Sequence, residues 1–314
     1  MDDLTFFRRE LRPYFDRSER SDVKLARFSA SEIRHLSVRV DEKTTLEFDS
    51  RCVDITVEGT TRTAYQPFTA DTNECSLDLA IKYAKATDTL ACMYSVEVPY
   101  VDREDNLKTT RYFLPFDSLA LALKFTSHDM HGFEYTLTEG ARYAYMDVER
   151  ENVNEITATE VDILAAVFVV CKYVFPLIGH KLDMDQVGIL RASRKNKYSF
   201  HVIFRNVIFP SHEVERLFKL TIRDFLKDPP AELKPIVDEY VNYTKLNVKG
   251  KVMHTTTIDL CVMGRCRGQM RAPLQTKVNK PDSALHVLKG SLDDVWTYGY
   301  HGGTIPEECV VHRE

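Results

Sequence analysis

The feature that most constrains this chain is an unbroken apolar run, Ile163 to Cys171, fenced by Asp162 and Lys172. A helix needs roughly 20 apolar residues to span a bilayer, so this run is too short and is expected as a buried helix. A helix without a polar stripe must be covered on all sides, which demands other elements packed around it. Thr157 and Glu160 have capping-box spacing, so the helix is expected to open there and to stop before Pro176.

The surrounding pattern supplies those elements. Met93 to Val98, Thr110 to Leu114, Ala141 to Arg150, Val187 to Leu190, Tyr198 to Phe204 and Thr255 to Val262 read as strands, with Met270 to Ala272 continuing beyond a turn. Phe116 to Phe125 reads as a helix opened by Asp117 or Ser118. Val214, Leu217, Phe218, Thr221 and Phe225 recur at helical spacing after Pro210, and Pro229-Pro230 ends that helix. Upstream, Leu46 to Phe48 and Val53 to Val57 alternate as half-buried strands do, and Ser76 to Ala86 reads as a short helix. Interleaved strands and helices give an α+β, mixed α/β class.

Composition narrows the function classes. With 42 Lys plus Arg against 47 Asp plus Glu, the net charge of -5 excludes coating of nucleic acid by charge alone. A local basic groove is still allowed, because the local field matters more than the sum. The N-terminus has no basic-then-apolar pattern of a signal peptide. Seven Cys with no Cys-x-x-Cys pair argue for reduced thiols rather than a disulfide framework or structural zinc.

Three short constellations carry chemistry. In the strand Tyr145-Met146-Asp147-Val148-Glu149, alternation sends Met146 and Val148 into the core and Asp147 and Glu149 together to the other side. Paired carboxylates repel unless a cation or protons sit between them, and magnesium takes such oxygen ligands. In Lys197-Tyr198-Ser199-Phe200-His201, the same alternation puts Lys197, Ser199 and His201 in a polar row able to donate to phosphate oxygens. Arg191, Arg194 and Lys195 make the preceding turn basic. Asp259 sits between Ile258 and Leu260, followed by Arg265, Arg267 and Arg271, whose forked donors suit a triphosphate. Each constellation alone also fits a solvated strand face or an ion-paired side chain. Their order along one chain is what a single such explanation does not cover.

In that order the chain resembles the archaeo-eukaryotic primase superfamily, in the branch of primase-polymerases and large DNA virus primases. Asp147 and Glu149 match the family's Asp-x-Glu motif, Lys197, Ser199 and His201 its Ser-x-His motif, and Ile258-Asp259 its third motif. Arg271 matches the nucleotide-binding Arg, and Arg267 and Lys277 match it less closely. The resemblance covers about residues 90 to 285. Cys92 stands where relatives often carry Arg, and the loop after Asp259 lacks the usual aromatic residue. No Cys/His zinc module and no Walker-type loop is present.

The resemblance implies an α/β catalytic core at 91–285, with an accessory region at 1–90 and a tail at 286–314. One unit would carry Asp-x-Glu, and an RRM-like sheet would carry Ser-x-His and Asp259, with the active site between them. It implies a DNA primase or primase-polymerase working by two-metal nucleotidyl transfer. Mg2+ or Mn2+ would be held by Asp147, Glu149 and Asp259. Nucleoside triphosphate would be held by Lys197, Ser199, His201, Arg267, Arg271 and Lys277. Single-stranded DNA template would be met by Arg191, Arg194 and Lys195. A separate helicase or replication subunit, no membrane, and a nuclear or viral replication setting follow from the same likeness. The alternatives are a catalytically inactive primase-fold subunit that binds nucleic acid, and a metal-dependent nuclease, which gives no role to Ser199 and His201.

Overall fold

A computed structural model describes residues 2–17, 26–27, 34–40, 49–68, 76–86, 92–101, 103–126, 128–135, 140–153, 156–246, 249–265, 268–277, 280, 283–295, 299 and 304–311. The chain is mixed α and β with antiparallel sheets. It divides into two compact units: residues 1–22, 136–268 and 286–314 form the first, and residues 23–135 and 269–285 the second. The boundary expected near residue 90 therefore falls inside the second unit. The first helix and the tail both belong to the first unit instead of standing apart.

The first unit is built around the apolar run. Its labelled elements are α1 (Asp3–Arg17), β1 (Arg142–Glu151), α2 (Glu160–Val174), β2 (Val187–Arg191), β3 (Lys197–Phe209), α3 (His212–Lys227), β4 (Asn242–Leu246), β5 (Val252–Thr256) and β6 (His286–Lys289). A four-stranded antiparallel sheet has the order β6-β2-β3-β1. Ala144, Met146 and Val148 of β1 alternate toward the same core as Phe200, Val202 and Phe204 of β3. Every residue from Ile163 to Cys171 in α2 is buried in that core. Phe204 is ringed by Phe168 and Phe175, with centroids 6.2 and 4.8 Å away. Burial of each such side chain contributes about 1.5–3 kcal/mol. The thiol of Cys171 is pushed up by that burial.

Two amphipathic helices complete the cover. Leu4, Phe7 and Leu11 line the buried face of α1, and Val214, Phe218, Ile222 and Leu226 that of α3. From Glu160 to Ile178, α2 and its 3-10 extension make 19 residues of mean hydropathy 2.2, with 67% of the most apolar window buried. By length and composition alone this continuous helix is sufficient to cross a membrane, which the shorter run read from the sequence was not.

The helix start differs from the sequence expectation by two residues. The capping box joins Thr159 and Asp162, with Thr159 N–H donating to Asp162 Oδ2 at 2.7 Å and Asp162 N–H to Thr159 Oγ1 at 3.3 Å. Glu160 is not the capping partner, because Arg191 takes its carboxylate in a two-pronged ion pair.

The second unit is a seven-stranded antiparallel sheet. Its order is Gln269–Arg271, Phe133–Tyr135, Cys92–Val101, Leu107–Phe116, Thr60–Phe68, Asp49–Val57 and Arg34–Val40. The helices Ser76–Ala86 and Leu119–Phe125 belong to it, the latter capped by Ser118. The strand expected at 46–48 lies outside the described residues. Cys92 is buried, and burial, with Glu134 and Asp117 adding negative charge, pushes its thiol up.

Candidate active site

Strands β1 and β3 are direct neighbours, and their register decides the site. Ser199 lies opposite Glu149, and His201 lies opposite Asp147. Residues directly opposite in an antiparallel pair share a face with Cβ atoms about 4.5–5.5 Å apart. The Asp-x-Glu and Ser-x-His motifs therefore form one surface of one sheet. This corrects the expectation that the two motifs occupy separate units. The physical reason is the antiparallel ladder, which runs from Lys197↔Glu151 through Phe204↔Ala144 without a break.

The third motif reaches the other edge of β1. The strand expected at 255–262 ends at Thr256, and Ile258 then makes an isolated antiparallel bridge to Val148. Glu149 N–H donates to Thr257 O at 2.7 Å, and Asp259 N–H donates to Asp147 O at 2.8 Å. That hydrogen-bond pattern sets Asp259 directly opposite Asp147 and Thr257 opposite Glu149. One row across the sheet thus reads Asp259, Asp147, His201, and the next reads Thr257, Glu149, Ser199. Thr257 is the residue of this face that the sequence reading missed. Its signal was present in the alternation of Thr257 with Ile258 and Asp259.

The side chains of the face already interact. His201 Nε2 is 3.9 Å from Asp147 Oδ1, and Lys197 Nζ is 2.5 Å from Glu149 Oε2. Asp259 Oδ1 accepts from Cys261 N–H at 2.8 Å, an Asx turn that ends the strand. Ser199 N–H donates to Ser193 Oγ at 3.0 Å, which fastens β3 to the preceding turn. Among the described residues, no three His, Cys, Asp or Glu side chains are arranged as a metal-holding group. The donor chemistry nevertheless suits a hard cation: three carboxylates on one face, two of them directly opposite, where like charges repel. Turning Glu149 from Lys197 and Asp259 from its own turn is what a three-carboxylate set requires.

The loop after Asp259 is held from three sides. Tyr145 Oη donates to Val262 O at 3.0 Å, Arg142 Nη1 to Arg265 O at 3.3 Å, and Lys219 Nζ to Met263 O at 3.4 Å. Gly264 has φ +66°, and a Cβ there would lie 2.7 Å from Arg216 Cα in α3. Both the left-handed backbone and the helix contact demand glycine. Gly264→Ala is expected to cost at least about 2 kcal/mol in denaturant unfolding, with loosening of the Asp259 turn. An unchanged denaturation midpoint would show that the loop is not clamped in this way.

The other sequence candidates are placed as follows. Arg191 is not on the carboxylate face. It follows Ile189 on the helix-covered side, pairs with Glu160, and lies over the Phe15 ring at 5.4 Å. Lys195 and Asn196 form the two-residue turn before β3, and Arg194 closes it by exchanging backbone hydrogen bonds with Lys197. Arg271 and Lys277 belong to the second unit. Arg271 is buried and donates to Ser283 O, while Lys277 N–H donates to Ser283 Oγ at 2.9 Å. Their segment is fastened by Gln275, whose Oε1 accepts from Met130 N–H at 2.7 Å and Gly132 N–H at 3.2 Å. Arg267 lies outside the described residues. The structure thus brings together Asp147, Glu149, Asp259, Lys197, Ser199 and His201.

No protein-family model matches this chain, and no curated protein matches it.

Proposed function

We propose that the β1–β3 face is the active site of a primase-type nucleotidyltransferase that extends or initiates strands on single-stranded DNA. The observation that carries this reading is the directly opposed Asp147–Asp259 pair with Glu149, His201, Ser199 and Lys197 on the same face. Like charges at opposed positions weaken a sheet. Their placement there is explained by a cation that the carboxylates hold together.

Asp147, Glu149 and Asp259 would hold Mg2+ or Mn2+. Such ions, when bound, lower the pKa of the attacking 3′-hydroxyl and neutralise charge on the leaving pyrophosphate. His201 and Ser199 stand beside the carboxylates as hydrogen-bond donors for non-bridging phosphate oxygens. Lys197 adds a full positive charge at the same edge, where transition-state charge on the phosphoryl group gains most from fixed donors. Metal binding by Glu149 would release Lys197 from its salt bridge and leave its ammonium for the phosphates. The template is read by pairing, so the protein needs only a cationic path, for which Arg194 and Lys195 at the turn are suited.

A second reading has its own observation. Glu149 is engaged by Lys197, and Asp259 by its own loop, so two of the three carboxylates already have protein partners. That favours a primase-fold subunit that binds nucleic acid without catalysis. The test is incorporation of labelled nucleotide on single-stranded DNA with Mg2+ or Mn2+. Synthesis of template-complementary product supports the enzyme. Strand binding with no incorporation supports the second reading, and strand degradation without triphosphates supports a nuclease.

A further inference from the structure

An open cleft of about 900 Å3 lies in the first unit beside the carboxylate face. Its lining includes Arg150, Glu151, Arg223, Lys227, Tyr243 and His254, and none of Asp147, Ser199, His201 or Asp259. Arg150 is the unusual member. It follows Met146 and Val148 on the core-facing register of β1, where a charged side chain is out of place, and it is only 7% exposed. Its guanidinium lies over the Tyr243 ring at 4.2 Å, and Nη1 donates to Asn242 O at 3.4 Å. Its Nε is buried with no hydrogen-bond partner, and no carboxylate among the described residues forms an ion pair with it.

Buried cations are normally matched by an anion, because removing water from a lone charge is costly. The two carboxylates of the lining do not serve. Glu151 is paired with Lys245 at 3.2 Å, and Asp238 with Lys234 at 3.2 Å. Arg223 and Lys227, on successive turns of α3, share Asp224 and add positive charge to the lip. Burial pushes the Arg150 pKa down, the mark of a desolvated charge short of compensation. The hydroxyl of Thr244 and the imidazole of His254, opposite one another in register, supply further hydrogen-bonding groups along the β4–β5 wall.

We infer that this cleft is a second anion site that takes a phosphate-bearing ligand, with Arg150 as its anchor and Arg223 and Lys227 at its lip. A free nucleotide and the backbone of a nucleic-acid strand present the same phosphate chemistry, and the volume admits either. The cleft adjoins the carboxylate face through Leu260, next to Asp259, but binding there needs neither metal nor chemistry.

The test measures fluorescence anisotropy of two probes in EDTA: a labelled nucleoside triphosphate and a labelled short single-stranded oligodeoxynucleotide. Arg150→Gln and the double variant Arg223→Glu/Lys227→Glu are compared with the unaltered protein. Loss of a charged hydrogen bond corresponds to about tenfold or more in Kd. Such weakening for the triphosphate identifies a nucleotide site, and for the oligonucleotide a strand site, whose salt dependence should also fall. Unchanged binding of both probes in both variants, or no binding by the unaltered protein, overturns the inference. If Arg150→Gln fails to fold by circular dichroism, the lip variant decides alone. Failure of nucleotidyl transfer leaves this readout untouched, so the two proposals fall separately.

Discussion

Asp147→Ala is expected to lower template-directed nucleotide incorporation by at least about 10^3-fold without lowering the melting temperature. Removing one fixed electrostatic group from an active site commonly costs 10^2–10^3-fold, and outer-shell partners of a metal about 10–100-fold. Asp147 is the centre of its row, between Asp259 and His201, so its loss removes the group common to both neighbours. The stability arm has the opposite sign. Asp147 faces a like charge, so truncation relieves repulsion, and the His201 contact at 3.9 Å is too long to offset it. Asp259→Asn is the matching variant, because an amide oxygen keeps the turn to Cys261 N–H while the charge is lost. Steady-state kinetics and calorimetry on the same samples separate the two effects. Activity near that of the unaltered protein in both variants would remove the carboxylate row from the mechanism.

The second large effect concerns the fold beneath the site. Arg142, at the start of β1, is fully buried and pairs with Glu215 of α3 at 3.2 Å, with side-chain exposures of 1% and 2%. It also donates to Gly140 O and Arg265 O, so one guanidinium joins strand, helix and the loop after Asp259. Breaking such a pair from one side leaves a buried charge, and costs about 3–5 kcal/mol. Against a total of about 5–15 kcal/mol, this is enough to leave much of the chain unfolded at physiological temperature. Arg142→Ala is therefore expected to be severely destabilised, and Arg142→Met/Glu215→Leu to recover much of the loss.

The pH dependence of Arg142→Ala follows from Glu215. Burial pushes the Glu215 carboxyl up, against the opposing pull of Arg142, the Gly264 N–H and His212. Without Arg142 the upward push is stronger. A folded pKa above the unfolded one stabilises fully below the unfolded value, and that stability is lost as pH rises through the folded value. The variant should accordingly unfold more readily at neutral pH than in mild acid, in urea titrations at several pH values. Equal stability of single and double variants would show that the pair is not a coupled unit.

Local patterns in the sequence were good guides to elements and to faces. The helix over Ser76–Ala86, the Ser118 start of the next helix and the buried run in α2 are all governed by nearby spacing. Alternation also sorted Met146 and Val148 from Asp147 and Glu149, because strand period alone determines the side. What alternation does not contain is the neighbour. The pairing of β1 with β3 joins residues about fifty positions apart, and is settled by which apolar rows cover α2. The family likeness pointed instead to two separate units. The capping box shifted for a similar reason: Glu160 had a distant competitor in Arg191. Arg150 was legible in principle, as a cation at a core-facing position of an alternating strand. Its meaning depended on β4 and β5, more than ninety residues away.

The most direct measurement is Mn2+ binding followed by electron paramagnetic resonance, in the presence of a non-hydrolysable nucleoside triphosphate. The unaltered protein should take up Mn2+ beyond what the nucleotide alone binds, and Asp147→Asn/Asp259→Asn should abolish that increment. Equal Mn2+ uptake by the two proteins, or none by either, would contradict a metal site built on Asp147, Glu149 and Asp259.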